Sequence, residues 1–262
     1  MNPIDRQLEM IKQSKRLGLM THVVVGYPLL SETLKLVKAM EKSGADFVEL
    51  QIPFSDPLAD GPTIMRACEK ALENGTKVQD AFDLAQKLSK EVKIPLLFMG
   101  YYNTVFKYGA DRFCNDAVKV GISGLIIPYI PIEEERSEQF IHSCQKHNLY
   151  NIRVISPSAT LDRLKKNAKI AKGFVYCTAR QGITDAKKEL DPQIARYLKE
   201  VRKYFKIPIA AGFGISSKER VDLIRAYADI AVVGSAIIDV INNSKSHNLD
   251  REVVGFLESL KV

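Results

Sequence analysis

Eight short apolar runs, each followed by a turn and an amphipathic stretch, constrain this chain more than any other feature. They fall at 21–25, 46–50, 95–99, 124–128, 152–155, 174–178, 207–211 and 230–233. Each is near-continuously hydrophobic instead of alternating, the pattern of parallel strands covered by helices. Between them, apolar residues recur at helical spacing: Leu34, Leu36, Val37 and Met40 in 31–43, and Ala81, Leu84, Ala85 and Leu88 in 80–92. Segments 109–120, 133–147, 161–171, 192–204, 217–227 and 250–260 repeat the pattern, and Ser216 with Glu219 reads as a capping box. Strands alternating with helices in this number match a (β/α)8 barrel, an α/β fold of the TIM type. The competitor, an open doubly wound sheet, usually has a glycine-rich dinucleotide turn after its first strand. Here that strand runs into Gly26-Tyr27-Pro28, which is not that turn. An extra N-terminal helix, 3–16, is expected to plug the barrel floor. No linker or low-complexity segment interrupts the chain, so 1–262 is expected to be a single barrel domain.

Composition enters as exclusion. A hydrophobic fraction of 46% is too high for a disordered chain. The net charge of +7 is spread out, with no basic run longer than pairs such as Lys165-Lys166 and Lys187-Lys188. Nucleic-acid binding needs a clustered basic face, so no nucleic acid is expected as a partner. Cys68, Cys114, Cys144 and Cys177 show no CxxC spacing and read as free thiols of a reducing compartment. There is no apolar stretch of membrane-spanning length and no signal-peptide pattern at the start. A cytoplasmic location without membrane contact is the expectation. His22, His142, His147 and His247 lack ligand spacing, and no metal site is expected. His22 reads as a satisfied histidine of the barrel interior.

In such a barrel, chemistry sits at the C-terminal strand ends and the loops after them. Three regions qualify. Glu49 lies near the end of strand two, and the proline-stiffened loop beyond it carries Asp56 and Asp60. Burial would raise the pKa of Glu49, which suits a general acid/base, and a second carboxylate can take a separate role. Asp56 and Asp60 read equally well as turn residues, since Asp-Pro and Asp-Gly are common turn dipeptides. Strands seven and eight run into Gly212-Phe213-Gly214-Ile215-Ser216 and Gly234-Ser235. Glycine lets backbone N–H groups approach an anion, and a helix beginning there favours negative charge, so this pair suggests a phosphate site with Ser235 as N-cap. The third region, from Tyr176 through Arg180 to Asp185, is polar and placed to close over a ligand. Tyr176 reads equally as core.

At these residues the sequence resembles the tryptophan synthase alpha-chain family. Segment 49–62 is close to that family's signature, E-L-G-x-P-F-S-D-P-x-A-D-G-P. Further likeness runs through Tyr101-Tyr102-Asn103, Gly109 and Phe113, then Tyr176 and Gly182-x-Thr184, Gly212 to Ser216, and Val233 to Ala236. It is collinear over nearly the whole chain. The resemblance implies a lyase that cleaves indole-3-glycerol phosphate to indole and glyceraldehyde 3-phosphate. It implies that Glu49 shuttles protons, that Asp60 supports the indole N–H, and that Tyr176 positions substrate. Gly214, Gly234 and Ser235 would bind phosphate, with Tyr102, Arg180 and Thr184 positioning substrate from the loops. It implies no cofactor in this chain, and a partner beta chain carrying pyridoxal phosphate in an alpha2-beta2 assembly. The alternatives are an activating subunit without catalysis, a stand-alone indole-producing lyase, and a sugar-phosphate isomerase or aldolase.

Four positions depart from the family pattern. Gln51 stands where the signature has Gly, Met65 where Gln is usual, Tyr129 where Asp is usual, and Asp185 where Gly is expected. A carboxylate at 185 close to a phosphate would be unfavourable by roughly a few kcal/mol at an effective dielectric of about 20.

Overall fold

The structure, a computed structural model, describes residues 1–128, 130, 132–178, 190–244 and 248–260. Eight parallel strands close into a barrel in chain order, with the last paired to the first. They are β1 (Gly18–Val24), β2 (Phe47–Gln51), β3 (Leu96–Met99), β4 (Ile122–Ile126), β5 (Tyr150–Ile155), β6 (Val175–Thr178), β7 (Ile209–Gly212) and β8 (Ile230–Val233). Every expected run holds a strand.

Helix α1 (Pro3–Gln13) precedes β1, and α2 (Leu30–Lys42) follows it. The β2–β3 connection holds α3 (Pro62–Glu73) and α4 (Val78–Glu91); the next holds α5 (Tyr102–Tyr108) and α6 (Ala110–Lys119). Then come α7 (Glu135–Glu138), α8 (Phe140–Lys146), α9 (Leu161–Ile170), α10 (Pro192–Tyr204), α11 (Lys218–Ile224), α12 (Ser235–Asn243) and α13 (Leu249–Leu260).

Strand side chains alternate between two apolar layers. On β2, Val48 and Leu50 face the helices, while Phe47 packs inside the barrel with Met20, Leu97, Phe174 and Ile230. Glu49 and Gln51 therefore share the inner face with Phe47.

The expected floor plug is present. Ile4 and Ile11 of α1 are buried in the interior cluster. The strands leave room for them: a Cβ on Gly18 would stand 2.8 Å from Ile11 Cδ1, and one on Gly124 2.9 Å from Ile4 Cδ1. Asn2 caps α1 by accepting from the Ile4 N–H at 2.9 Å, and its amide donates to the carbonyls of Ser123 (3.0 Å) and Asn148 (3.2 Å). Beside the plug, buried Asp46 accepts from both arms of Arg16 (2.6 and 2.5 Å), from Gln7 (2.6 Å) and from the Leu19 N–H (2.8 Å).

Two local expectations are corrected. Segment 133–147 is not one helix. Gln139 takes a left-handed conformation (φ +50°) between α7 and α8, and Glu135 accepts from the N–H groups of Ile141 (2.8 Å) and His142 (2.7 Å). An acidic side chain at a new helix start satisfies orphan donors, which favours the break. The capping frame of α11 is shifted by one: its N-cap is Ser217, not Ser216, and it makes no side-chain cap bond.

Candidate active site

The inner face of β2 rises from floor to mouth through Phe47, Glu49 and Gln51. At the lowest level the Phe47 and Phe174 rings pack with centroids 5.5 Å apart. One level up, Glu49 is fully buried. The ladder pairs it with His22 of β1, and His22 Nδ1 lies 2.9 Å from Glu49 Oε2. Glu49 Oε1 and His22 Nε2 are buried with no hydrogen-bond partner.

Burial pushes the Glu49 carboxyl above the usual carboxylate range. His22 opposes the shift, the Asp60 charge adds to it, and the Tyr176 hydroxyl favours the ionised form. Tyr176 itself is held well above an ordinary phenol, first by burial and then by the charges of Glu49 and Asp60. It therefore stays a donor. Gly212 makes room for it, since a Cβ there would lie 3.0 Å from the Tyr176 hydroxyl.

At the mouth, Asp60 Oδ2 accepts from Gln51 Nε2 at 2.7 Å and from the Tyr101 hydroxyl at 2.9 Å. The same Tyr101 oxygen accepts from the Ala59 N–H at 2.9 Å, and its ring stacks on Phe54 with centroids 5.2 Å apart. One phenol thus pins the loop after β2. Two carboxylates in unlike surroundings result: one buried and pushed up, the other half-buried and held by two donors. That contrast suits separate proton-transfer and charge-stabilising roles.

The glycine turns end the neighbouring strands β7 and β8. Gly214 has φ +65°, and its carbonyl accepts from Arg220 at 2.8 Å. Gly234 is the N-cap of α12, and Ser235 is the first helical residue, so the expected Ser235 cap moves back by one. A Cβ on Gly234 would come within 3.7 Å of His22 Cβ, so this helix start borders the Glu49–His22 pair. The unpaired N–H groups and dipole of a helix start suit a phosphate.

Comparison with known proteins decides the family. A family model described as "Tryptophan synthase alpha chain" matches residues 8–259. The chain belongs to the tryptophan synthase alpha-chain family. It is 40% identical over 258 residues to the tryptophan synthase alpha chain of Desulfotalea psychrophila, covering 98% of this chain and 99% of that one. It is 39% identical to the counterpart from Thermoanaerobacter sp., covering 100% and 99%. Among solved structures, the alpha subunit from Legionella pneumophila superposes with a TM-score of 0.90 at 32% identity, covering 99% and 97%. A chain of tryptophan synthase from M. tuberculosis, in an aminoacrylate-bound form, gives 0.88 at 27% identity, covering 99% and 98%. The family is one of lyases in tryptophan biosynthesis.

Against that family's pattern, the structure brings Glu49, Asp60 and Tyr176 together at the mouth, with Gly214 and Gly234 on the adjoining strand ends. Tyr102 is elsewhere engaged: it opens α5, and its hydroxyl donates to Glu138 at 2.5 Å. Arg180 and Thr184 lie outside the described residues, as do Tyr129 and Asp185. Met65 is partly exposed on α3. Gln51, a departure from the signature, is the donor that grips Asp60. Sequence reasoning missed three participants: Tyr101, the partnership of Gln51 with Asp60, and His22. The histidine is only half satisfied, and its partner is Glu49. The signal for it was the one ionisable residue in β1, directly across the ladder from a candidate acid.

Proposed function

We propose that this chain, acting as one barrel domain over 1–262, cleaves indole-3-glycerol phosphate to indole and glyceraldehyde 3-phosphate. What carries the reading is Glu49: a fully buried carboxyl at the mouth of the barrel, on the family's motif, with one oxygen left without a partner. Groups left buried and unpaired in a folded protein are rare, and a substrate partner is a direct explanation.

In the reaction, a proton is added at indole C3 and one is removed from the glycerol hydroxyl next to the breaking bond. The C–C bonding pair flows into the protonated ring, and the hydroxyl carbon becomes the aldehyde. Glu49 gives the first proton and takes the second, for which a raised pKa is suitable. Asp60 accepts from the ring N–H and stabilises the positive charge that develops there. Tyr176 holds Glu49 and the substrate in place. Gly214, Gly234 and Ser235 bind the phosphate at the start of α12, and Arg180 and Thr184 complete the substrate contacts. The steps assigned to this chain use side chains alone. A beta chain carrying pyridoxal phosphate would receive the indole in an alpha2-beta2 assembly, and the work would take place in the cytoplasm. In keeping with that, no helix among the described residues is long and apolar enough to cross a membrane.

The test is indole release from indole-3-glycerol phosphate by the chain alone and with its cognate beta chain. Release that the beta chain accelerates and Glu49→Gln lowers by about a hundredfold or more supports the reading. Equal, fast release with and without the beta chain indicates a stand-alone lyase. No release in either setting, with the beta chain nonetheless activated, indicates a non-catalytic subunit. A separate measurement addresses position 185: Asp185→Gly should tighten substrate binding, and unchanged affinity ends the repulsion argument.

A further inference from the structure

We propose that His22 is the positioning partner of Glu49: its imidazole holds Oε2 and leaves Oε1 as the oxygen that exchanges protons with the substrate. The inference rests on the reading of Glu49 as the proton-transfer group, and it adds a residue that the family signature does not contain.

The geometry is specific. The β1–β2 ladder puts His22 and Glu49 directly across from each other on the inner face. Both side chains are essentially inaccessible, at 2% and 1% exposed, and Nδ1 stands 2.9 Å from Oε2. A buried carboxyl of this length has several rotamers, and one fixed donor removes most of that freedom. The other groups facing Glu49 are Asp60 from the loop after β2 and Tyr176 from β6. Neither is a cation, and His22 is the side chain whose ring nitrogen stands within hydrogen-bond distance of the Glu49 carboxyl, at 2.9 Å. When Glu49 is ionised, Nδ1–H donates to Oε2. When Glu49 holds the proton, either the pair shares it across the same 2.9 Å contact or it sits on Oε1, ready for transfer. The imidazole also lies beside the helix start that would hold the phosphate: a Cβ on Gly234 would stand 3.7 Å from His22 Cβ and 3.9 Å from its Cγ. This arrangement, a base oriented by a second buried group, is how positioned acid/base residues generally work.

His22→Phe keeps the ring volume and deletes the donor. His22→Asn keeps a donor near Cβ and loses volume. If His22 positions Glu49, the Phe variant loses about tenfold in kcat with KM changed by less than about twofold, and the Asn variant regains most of the loss. The limb of the pH profile governed by Glu49 moves to higher pH in the Phe variant, because the deleted bond favoured the ionised form. The pairing also has a readout that needs no turnover. In the full-length protein carrying carboxyl-labelled glutamate, the Glu49 NMR signal, assigned with Glu49→Gln, should titrate at higher pH in His22→Phe than in the parent. An unchanged midpoint, or an Asn variant slower than the Phe variant, overturns the proposal and leaves His22 as packing. A shifted midpoint in a chain that releases no indole would keep the pairing and overturn the proposed reaction instead.

Discussion

Two buried carboxylates lie along β2, Asp46 just before its first residue and Glu49 at its middle, and they are treated in opposite ways. At the floor, Asp46 has both oxygens occupied by Arg16, Gln7 and the Leu19 N–H. At the mouth, Glu49 has one oxygen facing His22 and the other facing no partner, while His22 Nε2 and Gln51 Oε1 are likewise unpaired. Burial is the same, so burial alone does not mark function. Satisfaction differs: a buried polar group costs stability unless paired, and three unpaired atoms gather around Glu49, the other two among the described residues being the amide atoms of Asn151 on β5. The floor reads as structure and the mouth as chemistry.

This contrast can be broken by substitutions at the two ends. Ile4→Ala at the floor should lower the unfolding free energy by about 3 kcal/mol, measured by denaturant titration, because the plug leaves a cavity that the strands cannot close. Indole release below the midpoint should be unaffected. Asp60→Asn at the mouth should do the reverse, slowing release by about a hundredfold through lost charge at the ring nitrogen, with stability nearly unchanged. Asp46→Ala should cost about 2 kcal/mol of stability, less than a fully buried ion pair would, because Arg16 is partly solvated. Activity loss in the two floor variants, or unfolding in Asp60→Asn, would erase the distinction.

The smallest expected effect sharpens it. The Glu49 carboxyl is raised in the folded chain, so the native state binds its proton more tightly than the unfolded state does. Stability is then lost as pH rises above the ordinary carboxylate range near about pH 4. Glu49→Gln cannot ionise. Its Tm should match the parent near about pH 4 and exceed it as pH rises above that range, a gain in stability bought with the loss of activity. A Tm difference independent of pH would remove the raised carboxyl from the account.

Much of this was legible in the sequence. The apolar runs located all eight strands, because strands covered on both faces admit little else. The motif at 49–62 marks Glu49 and Asp60. What was hidden depended on register and on single-residue frames. His22 could not be matched to Glu49 until the β1–β2 pairing was known. Tyr101 and Tyr102 are adjacent, yet the helix that starts at Tyr102 sends the first phenol to Asp60 and the second to Glu138. Gln51 was visible as a departure but not as the donor to Asp60. The helix break at Gln139 follows from Glu135 reaching forward to the next turn, a choice that periodicity does not encode.

The plug at the floor bears on the order of assembly. Helix α1 is tied to carbonyls 121 and 146 positions further along the chain. During synthesis it therefore emerges long before β4 and the entry to β5 exist to receive it. Its apolar face must wait, and contacts of such separation form late and slowly. Seating α1 and closing the cylinder are consequently coupled, and a helix made before all eight strands is among the last elements to find its place.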